Sequence, residues 1–147
     1  MASPEEKIGY RFTPYTGEIE RGKIRELVQA IGDENPIYTD VEAAKAEGLK
    51  DVTVPPTFVE TIDMWAGPSF EQLMKELDID PAKLLHGEQE YEYFEPLFPG
   101  DSLTAETIVT DVKTKRNGMA LYTLETTYKN QHGTTALKAK MVLVKMP

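Results

Sequence analysis

The apolar residues change their period near residue 84, and that change limits what the chain can fold into. From Arg21 to Ile31 the side chains of Ile24, Leu27, Val28 and Ile31 recur at i, i+3, i+4 and i+7, one face of a helix, and Gly32 follows as its stop. After residue 84 the recurrence is every second residue, clearest where Leu137, Ala139, Met141 and Leu143 alternate with Lys138 and Lys140. Residues 87–94, 102–115, 119–130 and 134–145 read as strands rich in β-branched and aromatic side chains. Gly100-Asp101, Asn117-Gly118 and His132-Gly133 separate them, and Asn-Gly is a strong hairpin signal. With an early strand near residues 8–13, the reading is an antiparallel sheet of five strands. Helices first and hairpin-linked strands after define an α+β fold, the helices covering one face of the sheet.

Local signals place the other helices. Asp40 is positioned to cap a short helix over residues 41–47, which Gly48 ends. Thr57-Phe58-Val59-Glu60 has capping-box spacing after the stiff Pro55-Pro56, so a helix is expected from Thr57 with Phe58, Val59, Ile62 and Trp65 facing the core. Gly67-Pro68 interrupts it, and Ser69 with Gln72 opens a second stretch to Leu77 that turns Phe70, Leu73 and Leu77 inward. No repeat or linker divides residues 1–147, a length suited to one domain.

The net charge of −9 argues against a nucleic-acid or anionic-membrane binder, both of which need basic surfaces. The charge is uneven: residues 1–110 carry 9 basic and 23 acidic side chains, residues 111–147 carry 7 and 2. Lys113, Lys115 and Arg116 beside Asn117-Gly118 form the densest basic cluster. The chain has no cysteine, which removes disulfides and thiolate chemistry, and only His86 and His132, a poor basis for a metal site. No apolar run reaches the ~18 residues of a membrane span, and MASPEEKIGY lacks the basic-then-apolar order of a leader, so a soluble cytoplasmic protein is expected. Phosphate-cradling loops, dinucleotide-binding glycine triads and nucleophile elbows are not found in the sequence.

The segment Gly32-Asp33-Glu34-Asn35-Pro36-Ile37-Tyr38-Thr39-Asp40 resembles the hydratase motif of the MaoC-like, (R)-specific enoyl thioester hydratase family, which reads G-D-x-N-P-x-H-x-D. Residues 41–48 match the helix and glycine that follow it, Pro55-Pro56-Thr57-Phe58 stands where the family's central helix begins, and Pro96-Leu97-Phe98-Pro99-Gly100-Asp101 matches its P-x-x-x-G-D turn. The variant with N-P-I-Y, P-P-T-F and H-G-E-Q-E-Y-E-Y is most similar to the MaoC dehydratase N-terminal type, found as half of a double-domain hydratase or as a separate subunit. The resemblance implies a hot-dog fold, a five-stranded antiparallel sheet wrapped around a long central helix over residues 58–77. It also implies pairing of two such domains, with thioester sites at their interface.

Reversible dehydration of an (R)-3-hydroxyacyl thioester needs a carboxylate and a neutral imidazole sharing one water, and a donor to the thioester oxygen where charge develops. Asp33 and Asn35 match the motif, but Tyr38 takes the histidine position, and its ordinary pKa of ~10 makes it a poor base. Pro56, aligned with the glycine whose N–H serves the oxyanion, has no N–H to give. The sequence leaves three readings open. The chain is a substrate-binding, catalytically incomplete half of a dehydratase, paired with itself or with a motif-intact partner. Alternatively it acts alone, with His86 joined to Asp33 or Glu88 and Tyr38 as a hydrogen-bond donor, or it is a hot-dog thioesterase using Glu60 or Asp63. On any of these, Asn35, Pro56, Thr57, Gln89, Lys115 and Arg116 are the expected substrate contacts. No cofactor is expected beyond the coenzyme A or acyl carrier protein that bears the substrate. Gln89, Tyr91 and Tyr93 share one strand face and read first as packing on the helix.

Overall fold

The computed structural model describes residues 3–147. Strand β1 (Tyr15–Glu18) leads into helix α1 (Arg21–Ile31), a short α2 (Val41–Ala46), and then α3 (Val59–Ala66) and α4 (Phe70–Leu77). Four long strands follow: β2 (Leu84–Tyr93), β3 (Ser102–Thr114), β4 (Ala120–Lys129) and β5 (Thr135–Lys145). They form one antiparallel sheet in the order β1-β3-β4-β5-β2. This is the expected α+β arrangement.

The helical layer is divided where Gly67-Pro68 divides the sequence. α3 rests on one end of the sheet, with Phe58, Val59 and Ile62 among Leu103, Tyr128 and Leu137. α4 rests on the other end, with Met74 and Leu77 among Val109, Val112, Tyr122 and Leu143. Ser69 caps α4 by accepting from the Gln72 N–H at 3.1 Å, and Asp40 caps α2 by accepting from Glu42 and Ala43. Gly67 allows the chain to turn tightly between the two, since a Cβ there would stand 2.5 Å from the Asp63 carbonyl oxygen.

Several expectations need correcting. The early strand forms at Tyr15–Glu18 rather than near residues 8–13, where Gly9 and Phe12 bond to β3 only irregularly and Arg11 makes an isolated bridge to Ile108. Pro14, which cannot donate to a ladder, separates the two stretches. Thr57 makes no capping bond; α3 begins after Phe58, and the Glu60 carboxylate is drawn away by the Tyr91 hydroxyl, which donates to it at 2.6 Å. Trp65 does not face the core. It is 74% exposed beneath the Lys23 ammonium, 5.0 Å from its ring centre, while Ile62 and Ala66 take the close approach to β1 that Gly17 leaves open. Phe70 is likewise exposed. β2 lies at the edge of the sheet, and almost all of its residues are exposed.

Candidate functional site

The motif loop is built by its own short-range hydrogen bonds. The Asp33 carboxylate accepts from the Asn35 N–H at 2.9 Å, and the Asn35 side chain accepts from the Ile37 N–H at 3.2 Å, so each polar side chain holds the backbone two residues ahead. The loop is anchored where Thr53 N–H donates to the Ile37 carbonyl. Asp33 and Asn35 are exposed, and Tyr38 is half-buried against the core beside α1. Burial first, and the Asp33 charge second, push the Tyr38 phenol above its ordinary range. The Asp33 charge therefore reaches the Tyr38 ring.

At the opening of α3 the expected donor is replaced by an acceptor. Pro56 and Thr57 are exposed, and the Pro56 carbonyl accepts the Tyr93 hydroxyl at 2.6 Å. Burial, with Tyr38 nearby, pushes the Tyr93 phenol up to about 12, so it remains a protonated donor at neutral pH. Tyr91 and Tyr93 thus fasten β2 to α3 at Glu60 and Pro56, which is the packing role read from the strand pattern.

His86 and the basic turn lie elsewhere. His86 pairs with Leu143, seven residues along β2 from Tyr93, or roughly 20 Å at ~3.3 Å per residue. Within one chain it is not brought to Asp33. Lys115 and Arg116 follow β3 at the same far end, where Thr114, Ala120, Lys145 and Leu84 stand in one row across the sheet. Lys138 and Lys140 do not extend this cluster, because Glu92 and Glu90 pair beside them on β2; Lys113 meets Asp111 at 3.8 Å.

A second centre lies between the two helices. A cavity of about 390 Å³ separates α3 and α4 from the sheet, with Phe12, Phe70, Leu73, Leu124 and Met141 forming apolar walls and Gln89 reaching it from β2. On its wall the Asp63 carboxylate accepts from the Tyr15 hydroxyl at 2.5 Å and from the Tyr128 hydroxyl at 2.8 Å. Loss of water around it raises the Asp63 carboxyl to about 6, against the lowering effect of those two donors. Both phenols are pushed upward by burial and by the adjacent carboxylate.

The family model described as FAS1-like, dehydratase domain region matches residues 6–139. The chain belongs to that family. Its fold is the hot dog also seen in a MaoC-like dehydratase. A UPF0336 protein of Thermobifida fusca is 38% identical over 146 residues, covering 98% of this chain and 94% of its own. One from Streptomyces avermitilis is 40% identical over 114 residues, or 77% of this chain and 75% of its own. Among solved structures, a MaoC-like dehydratase superposes with a TM-score of 0.85 at 23% identity, over 98% of this chain but only 43% of that one. The HadBC (3R-hydroxyacyl-ACP dehydratase) complex of Mycobacterium tuberculosis superposes with a TM-score of 0.80 at 21% identity, over 94% of this chain and 96% of that one. At these identities the structural likeness speaks for the fold. Within this FAS1-like dehydratase-region domain, Tyr15 and Tyr128 are the polar groups that sequence reasoning missed. Asp63 was read only as a thioesterase carboxylate, and nothing local in Y-T-G-E or T-T-Y-K marks two phenols that meet it from strands 48 and 65 residues away.

Proposed function

We propose that the chain is the substrate-binding, catalytically incomplete half of an (R)-specific 3-hydroxyacyl thioester dehydratase, or 2-enoyl thioester hydratase in reverse, in fatty-acyl metabolism of the cytoplasm. The observation that carries this reading is the opening of α3: where the chemistry needs a donor to the thioester oxygen, Pro56 presents a carbonyl already occupied by Tyr93. Tyr38 compounds it, because a raised phenol cannot accept a proton at neutral pH as an imidazole does.

In this reading a motif-intact hot-dog partner supplies the acid and base. Its carboxylate and imidazole take the proton from C2 and return one to the departing 3-hydroxyl, releasing water and leaving the 2-enoyl thioester. This chain contributes the cavity beneath α3 and α4 for the acyl chain and the free edge of β2 for pairing. An exposed edge strand of ten residues is a template for another strand, and Leu85, Tyr93 and Phe94 are exposed along it. Antiparallel pairing of β2 with the matching strand of the partner sets the far end of one domain beside the helix opening of the other. Lys115 and Arg116 then face the partner's site, where the phosphates of coenzyme A or of an acyl carrier protein arrive. Proteins of similar fold are titled as two-component complexes, HadBC and ChsH1-ChsH2 of Mycobacterium tuberculosis, which supports pairing with a second hot-dog subunit.

The test is hydration of a short 2-enoyl-coenzyme A by the purified chain, alone and mixed with a motif-intact hot-dog subunit encoded beside it. Activity above that of either component on mixing is expected. Turnover by the chain alone that His86→Ala abolishes would overturn the reading in favour of a self-sufficient hydratase.

A further inference from the structure

The cavity wall at Asp63 has an unusual balance of donors and acceptors. Tyr15 and Tyr128 each have one phenolic proton, and both protons are directed at Asp63. A carboxylate offers roughly four lone-pair positions, and each phenol oxygen can accept as well as donate. The wall therefore has acceptor capacity left and no phenolic proton to spare. Glu60, which also lines the cavity, has the same arrangement with Tyr91. The rest of the wall is mostly apolar, with Phe12, Phe70, Leu73, Leu124 and Met141, and carries Gln89 and the Thr107–Thr126 pair as its further polar groups. A purely alkyl chain would fill the cavity but leave those acceptors without water, and a carbonyl or carboxylate placed against Asp63 would meet an acceptor, finding donors on this wall only at other side chains such as Gln89 and the Thr107–Thr126 pair.

We propose that Asp63, Tyr15 and Tyr128 form an acceptor seat that selects an acyl chain bearing a hydroxyl group along its length over an unsubstituted chain of the same length. The ligand hydroxyl donates to the free lone pair of Asp63 while its alkyl portions lie on the apolar walls. The seat lies inside this domain's cavity between α3 and α4, whereas the acid and base of the proposed reaction belong to the partner, so the hydroxyl it reads is one further along the chain than the group undergoing dehydration. This inference rests on the acyl-binding reading above and names the kind of acyl chain involved.

Two sets of probes separate the seat from that reading. The first carries no thioester: 1-octanol, octyl methyl ether of the same oxygen position without the donor, and octylamine, titrated calorimetrically into the full chain at pH 7.5. The alcohol is expected to bind roughly tenfold more tightly than the ether, and Asp63→Asn is expected to remove that preference. The wild-type comparison decides the matter even where Asp63→Asn does not fold. Equal binding of alcohol and ether overturns the seat, and a stronger grip on the amine overturns the hydroxyl in favour of a cation. The second set is dodecanoyl-pantetheine with a hydroxyl moved stepwise along the chain. One position is expected to stand out by about tenfold, and a flat series overturns the selection of hydroxylated acyl chains. Preference for 1-octanol with no binding of any acyl pantetheine keeps the seat and overturns the acyl reading on which it rests.

Discussion

The loop around Asp33 and the helix around Asp63 treat a carboxylate in opposite ways. Asp33 is exposed and spends an oxygen on its own backbone, at the Asn35 N–H. Asp63 lies on a cavity wall and is held by two phenols from distant strands, with its carboxyl raised to about 6. The first has the look of a catalytic motif in sequence and the environment of a turn; the second has no motif and the environment of a functional group. The loop keeps its shape with Tyr38 at the motif's histidine position, because Asx-turn bonding needs only the aspartate and asparagine. Perturbed electrostatics needs burial, which only the assembled fold supplies.

The largest effect should come from restoring what the loop and the helix opening lack. Tyr38→His returns an imidazole beside Asp33, and Pro56→Gly returns an N–H at the start of α3. Together they are expected to raise hydration of a short 2-enoyl-coenzyme A by about 100-fold over the unmodified chain, well short of the product of the roughly 10²-fold or more that acid–base and oxyanion groups each contribute in a complete site. Each single change should stay within about tenfold of the starting rate, because an acid–base pair without a place for the developing charge gains little. Full recovery by Tyr38→His alone, read from the loss of enoyl absorbance, would break the comparison by showing that Pro56 was never the obstacle.

What the sequence made legible follows the range of the interactions involved. The strands from residue 84 onward, the caps at Asp40 and Ser69, and the break at Gly67-Pro68 all appear, because alternation, capping and helix breaking depend on neighbours within a few residues. Trp65 went astray because Ile62 and Ala66, not Trp65, take the close approach at Gly17, a contact 45 residues from Ile62 that hydrophobic spacing cannot register. The edge position of β2 depends on strand order, which alternation leaves open. The site divides similarly. The motif over residues 32–40 was readable from one loop, whereas the distance of His86 from it, and the meeting of Tyr15 and Tyr128 at Asp63, required the sheet to be assembled.

A smaller effect separates the two carboxylates by pH. The Asp63 carboxyl is raised from 3.8 to about 6 in the fold, so the folded state holds a proton there that the unfolded chain releases between those values. Stability from this group is therefore greatest below pH 4 and falls as pH rises through 6. The shift corresponds to roughly 2–3 kcal/mol, allowing for partial solvent screening. Many carboxylates titrate in this range, so the informative quantity is the difference between the wild type and Asp63→Asn in urea unfolding at pH 4 and pH 7. That difference should move by about 2–3 kcal/mol, with the wild type relatively more stable at the acid end. A constant difference across the range would mean that Asp63 is as well solvated as Asp33.

The smallest effect belongs to Asp33 itself. Asp33→Ala removes one exposed hydrogen bond, to the Asn35 N–H, from a loop that Asn35 and the Thr53 N–H continue to hold at Ile37. Water can replace the lost acceptor, so the cost should be about 0.5–1 kcal/mol in urea unfolding. The substitution has a second readout next door. The Asp33 charge contributes to raising the Tyr38 phenol, but burial contributes more, so Asp33→Ala should bring the Tyr38 pKa part of the way down and leave it above its ordinary range. A pH titration of a ring-labelled Tyr38 by NMR follows this directly. A return to the ordinary value would show that Tyr38 is as open to water as Asp33, and a change of several kcal/mol in stability would show that the loop depends on Asp33 as the cavity wall depends on Asp63.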